Sequence, residues 1–319
     1  MIDFQYYQQL LGLQLPSPIQ EVKMPLLDNK GIQLFIKRED LIHPEISGNK
    51  WRKLKYNLLE AKRQQQKTLL TFGGAYSNHI AATAAAGHYF GFDTVGIIRG
   101  EFTHPLNPTL SLATNYGMKL IYLDRNSYRN ANRRELATQL YPQAHYFIPE
   151  GGTNIFALKG CQEIVEESMN QIQTPDYYVL ACGTGGTLAG VIQALNGESK
   201  VIGFSALKGD FLVREVQQLL GNQRYDNWSI NTEFHFGGYA KSTLPLIQFI
   251  HQFYDKHRIL LEPIYTSKAL FGLLQLIERK EIKENTTILF IHTGGIQSII
   301  GFNQNTKPEQ QIKVIGDFQ

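Results

Sequence analysis

The sequence predicts an α/β fold built on mainly parallel sheets, and three observations carry that prediction. Short β-rich runs alternate with longer helical runs, the pattern of strand–helix–strand crossover units. Glycines stand at four strand ends: Gly73–Gly74, Gly151–Gly152, Gly183 to Gly186 and Gly294–Gly295. The 319 residues, 43% apolar and 18% charged, exceed what one core usually needs, so the chain forms two domains or one large α/β unit.

The elements follow in order. GIQLFIKREDL (31–41) reads as a strand leaving a turn. Residues 50–66 place Trp51, Leu54, Leu58 and Ala61 at helical spacing, with charges elsewhere. TLLTFGG (68–74) is a strand ending in glycines, and the Ala-rich run Ala81 to Gly87 is helical. TVGIIRG (94–100) and KLIYLDR (119–125) are strands, with a helix around Leu110 to Tyr116 between them. YYVLACG (177–183), KVIGFSAL (200–207) and TILFIHTGG (287–295) are further strands. Residues 51–160 read as a compact inserted α/β unit. Ligands of open parallel sheets bind outside the carboxyl ends of strands, where glycine lets backbone approach closely. Four such ends predict one crowded site.

Composition removes several classes of function. A formal charge of +3 with scattered Lys and Arg predicts no nucleic-acid surface, although Lys50, Arg52, Lys53 and Lys55 could hold a small anion. Cys161 and Cys182 make neither a disulfide framework nor a metal site; buried free thiols in a reducing cytoplasm are expected. MIDFQYYQQL lacks the basic and apolar regions of a signal peptide. The longest small-apolar stretch, Ala81 to Ile98, contains His88 and Asp93 and does not read as a membrane span.

Three segments carry candidate chemistry. GTGGTLAG (183–190) follows a strand and opens a helix through Leu195. Unpaired N–H groups and the helix dipole there favour a phosphate, and the Thr184 and Thr187 hydroxyls could add donors. The competing reading is a tight turn that binds nothing. Leu188 breaks a dinucleotide fingerprint, and no lysine follows the last glycine as a Walker A loop requires. SGNKWRKL (47–54) sets Lys50 after a turn at a helix start. The dipole there opposes its charge and favours the free amine that attacks a carbonyl. An arbitrary lysine is a solvated surface residue, and only the nearby phosphate loop tips this one. Lys53, one turn on, could reach the same phosphate. In GGAYSNHIAATAAAG (73–87), Ser77 or Asn78 is the natural N-cap, and the same donors could face a carboxylate or ring oxygen. His79 reads as structural. Tyr239, in HFGGYA, and Tyr265, in PIYTSKA, are packing residues unless they face a ligand; Thr293 stands at a strand end.

SGNKWRKL, GGAYSNH, PEGGTN (149–154), GTGGT and the Tyr239–Tyr265 pair occur in the order seen in the 1-aminocyclopropane-1-carboxylate (ACC) deaminase and D-cysteine desulfhydrase family. The chain resembles these fold-type II pyridoxal 5'-phosphate (PLP) enzymes, related to the tryptophan synthase β subunit, from about Lys37 to Gly295. The resemblance implies two three-layer α/β domains with mainly parallel sheets and PLP in the cleft between them. The large domain would comprise 1–50 and 161–319, and the smaller inserted one 51–160. It implies Lys50 as Schiff-base lysine and proton-transfer base, and Asn78 as partner of the PLP ring oxygen. Gly183, Thr184, Gly185, Gly186 and Thr187, helped by Lys53, would form the phosphate cup. Ser77 would meet the substrate carboxylate or assist proton transfer, and Tyr239 and Tyr265 would activate the substrate. A small amino-acid substrate and a homodimer are implied by the same resemblance.

Departures from the family pattern sharpen the expectation. ACC deaminases carry Glu after the second tyrosine, paired with the pyridine nitrogen, and an apolar residue where Thr293 stands. Here the first position is Thr266. The D-cysteine desulfhydrase branch resembles this chain, with threonine at both, Thr293 facing the ring nitrogen. A neutral hydroxyl does not force pyridinium protonation, so the electron sink is weaker. That suits β-elimination and suits poorly the opening of a cyclopropane. Tyr76 replaces the usual Gln before SNH, and Cys161 replaces a usual tyrosine. The expected activity is therefore PLP-dependent β-elimination with release of ammonia and a 2-oxo acid. ACC deamination, another PLP lyase or racemase activity, and non-catalytic PLP or anion binding are the alternatives.

Overall fold

In the computed structural model, which describes residues 4–130 and 132–313, ten strands form two sheets. In chain order they are β1 (Ile19–Val22), β2 (Gln33–Lys37), β3 (Thr68–Gly74), β4 (Asp93–Arg99), β5 (Lys119–Leu123), β6 (Tyr146–Ile148), β7 (Tyr177–Cys182), β8 (Lys200–Ser205), β9 (Trp228–Asn231) and β10 (Thr287–Ile291). The larger sheet runs β1-β2-β10-β7-β8-β9 and the smaller β5-β4-β3-β6. Only β1 is antiparallel to its neighbour. The small sheet is drawn wholly from residues 68–148, between β2 and β7 of the large one.

Alternation along the large-sheet strands explains its layers. Tyr177, Val179 and Ala181 join Ile288 and Phe290 in a core with the helices Leu244–His257 and Thr266–Glu278. Tyr178, Leu180 and Cys182 face the other way with Leu289 and Ile291, against the helices Ile155–Gln171 and Gly186–Leu195. A sheet buried on both faces has this composition because helices cover both sides. Both cysteines are buried free thiols. The small sheet repeats the plan. Leu69 and Ile148 pack with Trp51, Leu54 and Leu58, while Leu70, Phe72, Val95 and Ile97 pack with Ala137.

Helix Asn49–Arg63 matches its expected spacing, with Trp51, Leu54, Leu58 and Ala61 buried. The strand expected over 31–41 is shorter, because Glu39–Leu41 turns into a 3-10 helix. Strands β1 and β9 lie outside the expected ones, and β6 is the strand implied before Gly151–Gly152, which had no bounds of its own. All three are edge strands of three or four residues, too short for a two-residue alternation to stand out. No helix among the described residues is long and apolar enough to cross a membrane.

Candidate active site

Residues at or just beyond the four glycine-bearing strand ends come together around one cavity. The cavity there is lined by Lys50, Lys53, Ser77, Asn78, Gly151, residues 183–187, Tyr239, Tyr265, Thr293 and Gly294. Every candidate residue read from the sequence therefore reaches one cavity.

Lys50 is placed by its helix start. Gly48 has φ +63°, and a Cβ there would stand 2.0 Å from the Thr293 carbonyl oxygen. Glycine thus serves both the left-handed turn and the close approach. The Asn49 N–H donates to the same carbonyl at 3.2 Å, which docks the helix on the end of β10. Lys50 Nζ donates to Asn49 Oδ1 at 2.6 Å, and Asn49 Nδ2 donates to Thr187 Oγ1 at 3.0 Å. One amide therefore couples the lysine to the glycine loop. Burial, reinforced by the Lys53 charge, lowers the Lys50 amine to about 7. The sequence reading attributed such a shift to the helix dipole; desolvation and the neighbouring cation are its leading causes here.

The glycine loop leaves β7 and enters helix Gly186–Leu195 through Gly185, at φ +76°. Its first turn has no side-chain cap, so its amides stay available to an anion. Lys53 is 3% exposed, and its Nζ donates to Gly151 O at 3.0 Å, Thr153 Oγ1 at 3.1 Å and Thr184 Oγ1 at 3.3 Å. Burial lowers its pKa too. A buried cation facing only neutral oxygens beside open helix amides is an anion site in wait.

On the small-sheet side, Ser77 caps helix Asn78–Phe90, its Oγ accepting from the His79 and Ile80 N–H groups. The N-cap expected of Ser77 is present, and the residue also lines the cavity. Asn78 Oδ1 is buried without a partner. His79 is buried against Thr71, and desolvation and the two lysines hold it well below the ordinary histidine range. The tyrosine rings stand 6.2 Å apart, edge to face. Burial raises both phenols, so they are protonated at neutral pH.

Thr266 is fully buried, and its Oγ1 accepts from the Glu262 N–H at 3.1 Å, outside the cavity wall. Glu262 in turn caps the following helix, accepting from the Ile264, Tyr265 and Thr266 N–H groups at 2.7, 2.7 and 2.6 Å. Sequence reasoning missed Asn49, Thr153 and Glu262. Asn49 sat inside a quoted motif beside Lys50, and Thr153 inside PEGGTN, so both were within reach; Glu262 carries no local signal.

The family profile described as "Pyridoxal-phosphate dependent enzyme" matches residues 11–294. A protein of Arabidopsis thaliana named bifunctional D-cysteine desulfhydrase/1-aminocyclopropane-1-carboxylate deaminase, mitochondrial, is 31% identical over 95% of this chain and 81% of its own. Among solved structures, an ACC deaminase homologue superposes with a TM-score of 0.77 at 30% identity, covering 92% of this chain and 93% of the other. A threonine deaminase from Solanum lycopersicum, at 19% identity and TM-score 0.64, covers 92% and 84% and shares the fold. The residues present fit PLP: a half-buried lysine beside a buried one, a glycine loop with open amides, and an Asn78 side-chain oxygen with no partner among the described residues, all in one cavity. The chain belongs to the pyridoxal-phosphate dependent enzymes, in the family of ACC deaminase and D-cysteine desulfhydrase.

Proposed function

We propose that this enzyme deaminates a small amino acid by β-elimination, in the manner of a D-cysteine desulfhydrase, releasing ammonia and a 2-oxo acid. The observation that carries the reading is the pair of threonines. Thr293 lines the cavity while Thr266 is turned onto the Glu262 backbone, so neither position offers a carboxylate to the cofactor's ring nitrogen. Bound PLP supplies an electron sink for the bond broken at Cα, and a neutral partner leaves that sink shallow. A shallow sink suffices when a β leaving group departs with the bonding electrons.

The side chains have corresponding roles. Lys53 and the first-turn amides after Gly185 would hold the phosphate, and Asn78 would orient the ring oxygen. Lys50 Nζ, shifted to about 7, is available uncharged near neutral pH, would hold the cofactor and would accept the Cα proton. The Ser77 hydroxyl would meet the substrate carboxylate. The Tyr239 and Tyr265 phenols hold their protons at neutral pH and can deliver one to the departing group. Tyr76 stands in the cavity wall where the family usually has glutamine, and its bulk and phenol change what fits there.

The test is a panel of D- and L-amino acids with β leaving groups, read as pyruvate, beside ACC, read as α-ketobutyrate. Pyruvate from at least one β-substituted amino acid, with ACC turnover at least about a hundredfold slower, is the expected result. Robust α-ketobutyrate release would overturn the reading.

A further inference from the structure

A second cavity of about 420 Å³ opens beside the first, and Tyr76 and Tyr239 line both. Its wall carries four arginines from the carboxyl-end side of the small sheet. Arg99 closes β4, Arg125 and Arg129 lie on helix Arg125–Asn130, and Arg133 opens helix Arg133–Leu140. The remaining wall is Gly74, Ala75, Tyr128 and the two shared tyrosines, with no carboxylate. Glu150 approaches Arg133 at 3.8 Å. Arg99, Arg125 and Arg129 have no carboxylate within ion-pair distance among the described residues. Asp124, beside Arg125 in the chain, instead accepts from the Asn126 and Ser127 N–H groups. Glu101 and Asp124 line an adjoining cavity that shares Ala75, Tyr76, Arg99 and Arg125 with this one.

The arrangement is ordered. The buried Tyr128 ring lies 5.6 Å from the Arg99 guanidinium and 4.2 Å from that of Arg133, so one aromatic ring orients two guanidinium groups. The Arg99 charge also reaches the Tyr239 phenol, opposing the rise that burial gives it. Guanidinium groups suit carboxylate, sulfonate and phosphate oxygens through their planar donor forks. In the reading given above the substrate's α-carboxylate is met by Ser77, and Arg99, Arg125 and Arg129 are left without a carboxylate partner among the described residues.

We propose that this arginine-walled cavity recognises a second anionic group, on the side chain of the amino-acid substrate, reached between Tyr76 and Tyr239. The proposal rests on the amino-acid reading given above and narrows its substrate class to acidic or anion-substituted amino acids.

Aspartate and asparagine are nearly isosteric and differ in side-chain charge, so they isolate the effect. Their affinities for the PLP-loaded enzyme are measured by calorimetry, with both enantiomers, for wild type, Arg99→Gln and the double variant R125Q/R129Q. Aspartate is expected to bind wild type about tenfold or more tighter than asparagine, the scale of hydrogen bonds to a charged group. Each variant reduces that ratio severalfold without weakening asparagine, and added salt reduces it in wild type. Equal wild-type affinities, no measurable aspartate binding, or a ratio that survives both variants overturns the proposal. The visible absorbance of the same wild-type samples separates the readings. An intact cofactor band with no charge preference removes the arginine site alone, whereas absence of the band removes the PLP site reading.

Discussion

Lys50 concentrates the chemistry at the scale of the residue. Only its uncharged amine attacks an aldehyde, and its pKa of about 7 sets when that form exists. The rate of PLP uptake by the apoprotein, followed in the visible, should therefore rise with pH through a midpoint near 7 and level off above it. The Lys53 charge is one cause of the lowering, so Lys53→Met should move that midpoint upward even as it weakens phosphate binding. A midpoint that stays fixed or falls contradicts the coupling. Lys50 and the 183–187 loop were legible in the sequence because each sits in a local motif whose residues share a turn. The couplings between them were not legible. The Asn49 contact with Thr187 spans 138 positions, and the Lys53 contact with Gly151 spans 98.

At the scale of the element, helix Asn49–Arg63 must present Lys50 and Lys53 to a loop on another sheet. Arg52 fixes it from behind. Its guanidinium pairs with Glu39 at 2.8 and 2.9 Å and with Glu167 at 2.7 Å through two nitrogens. Lys37 Nζ adds a 3.1 Å contact to Glu167, and Ser17 Oγ donates to Glu39 at 2.6 Å. Arg52 and Glu39 are both fully buried, so removing the cation strands a carboxylate in the interior. Arg52→Met should lower the unfolding free energy by about 3–5 kcal/mol, measured by urea denaturation. A loss below about 1 kcal/mol would show that Glu39 finds water or another partner. The sequence exposed Arg52 only as part of a basic cluster. Its carboxylates lie 13 to 115 positions away, and no local pattern announces them. The strands that escaped notice have a related cause. As short edge strands, β1 and β9 depend on the partner already formed beside them.

At the scale of the whole molecule, Tyr76 links the two sides of the cleft. It leaves β3 of the small sheet, and its hydroxyl accepts from Asn305 Nδ2 at 3.0 Å. A Cβ on Gly301, in helix Ser298–Gln304, would fall 2.3 Å from Tyr76 Cδ1. Gly301→Ala must therefore push the ring toward the cavity or shift the helix. The expected result is a KM raised severalfold and a stability loss of about 1–3 kcal/mol, read from steady-state kinetics and thermal unfolding. Unchanged kinetics would show that Tyr76 moves away from the substrate path. The two-sheet plan itself was legible, because crossover units and glycine-ended strands write their order directly into the chain. The meeting of the two sides at Tyr76 was not, since the Asn305 contact spans 229 positions.

The central claim is that PLP is held on Lys50 in this cavity. Its most direct test is the absorbance spectrum of purified wild type with added PLP, recorded beside Lys50→Ala. The account predicts a visible band, shifted from that of the free aldehyde, in wild type and its loss in the variant. A wild type without that band, or a variant that keeps it, contradicts the assignment of Lys50.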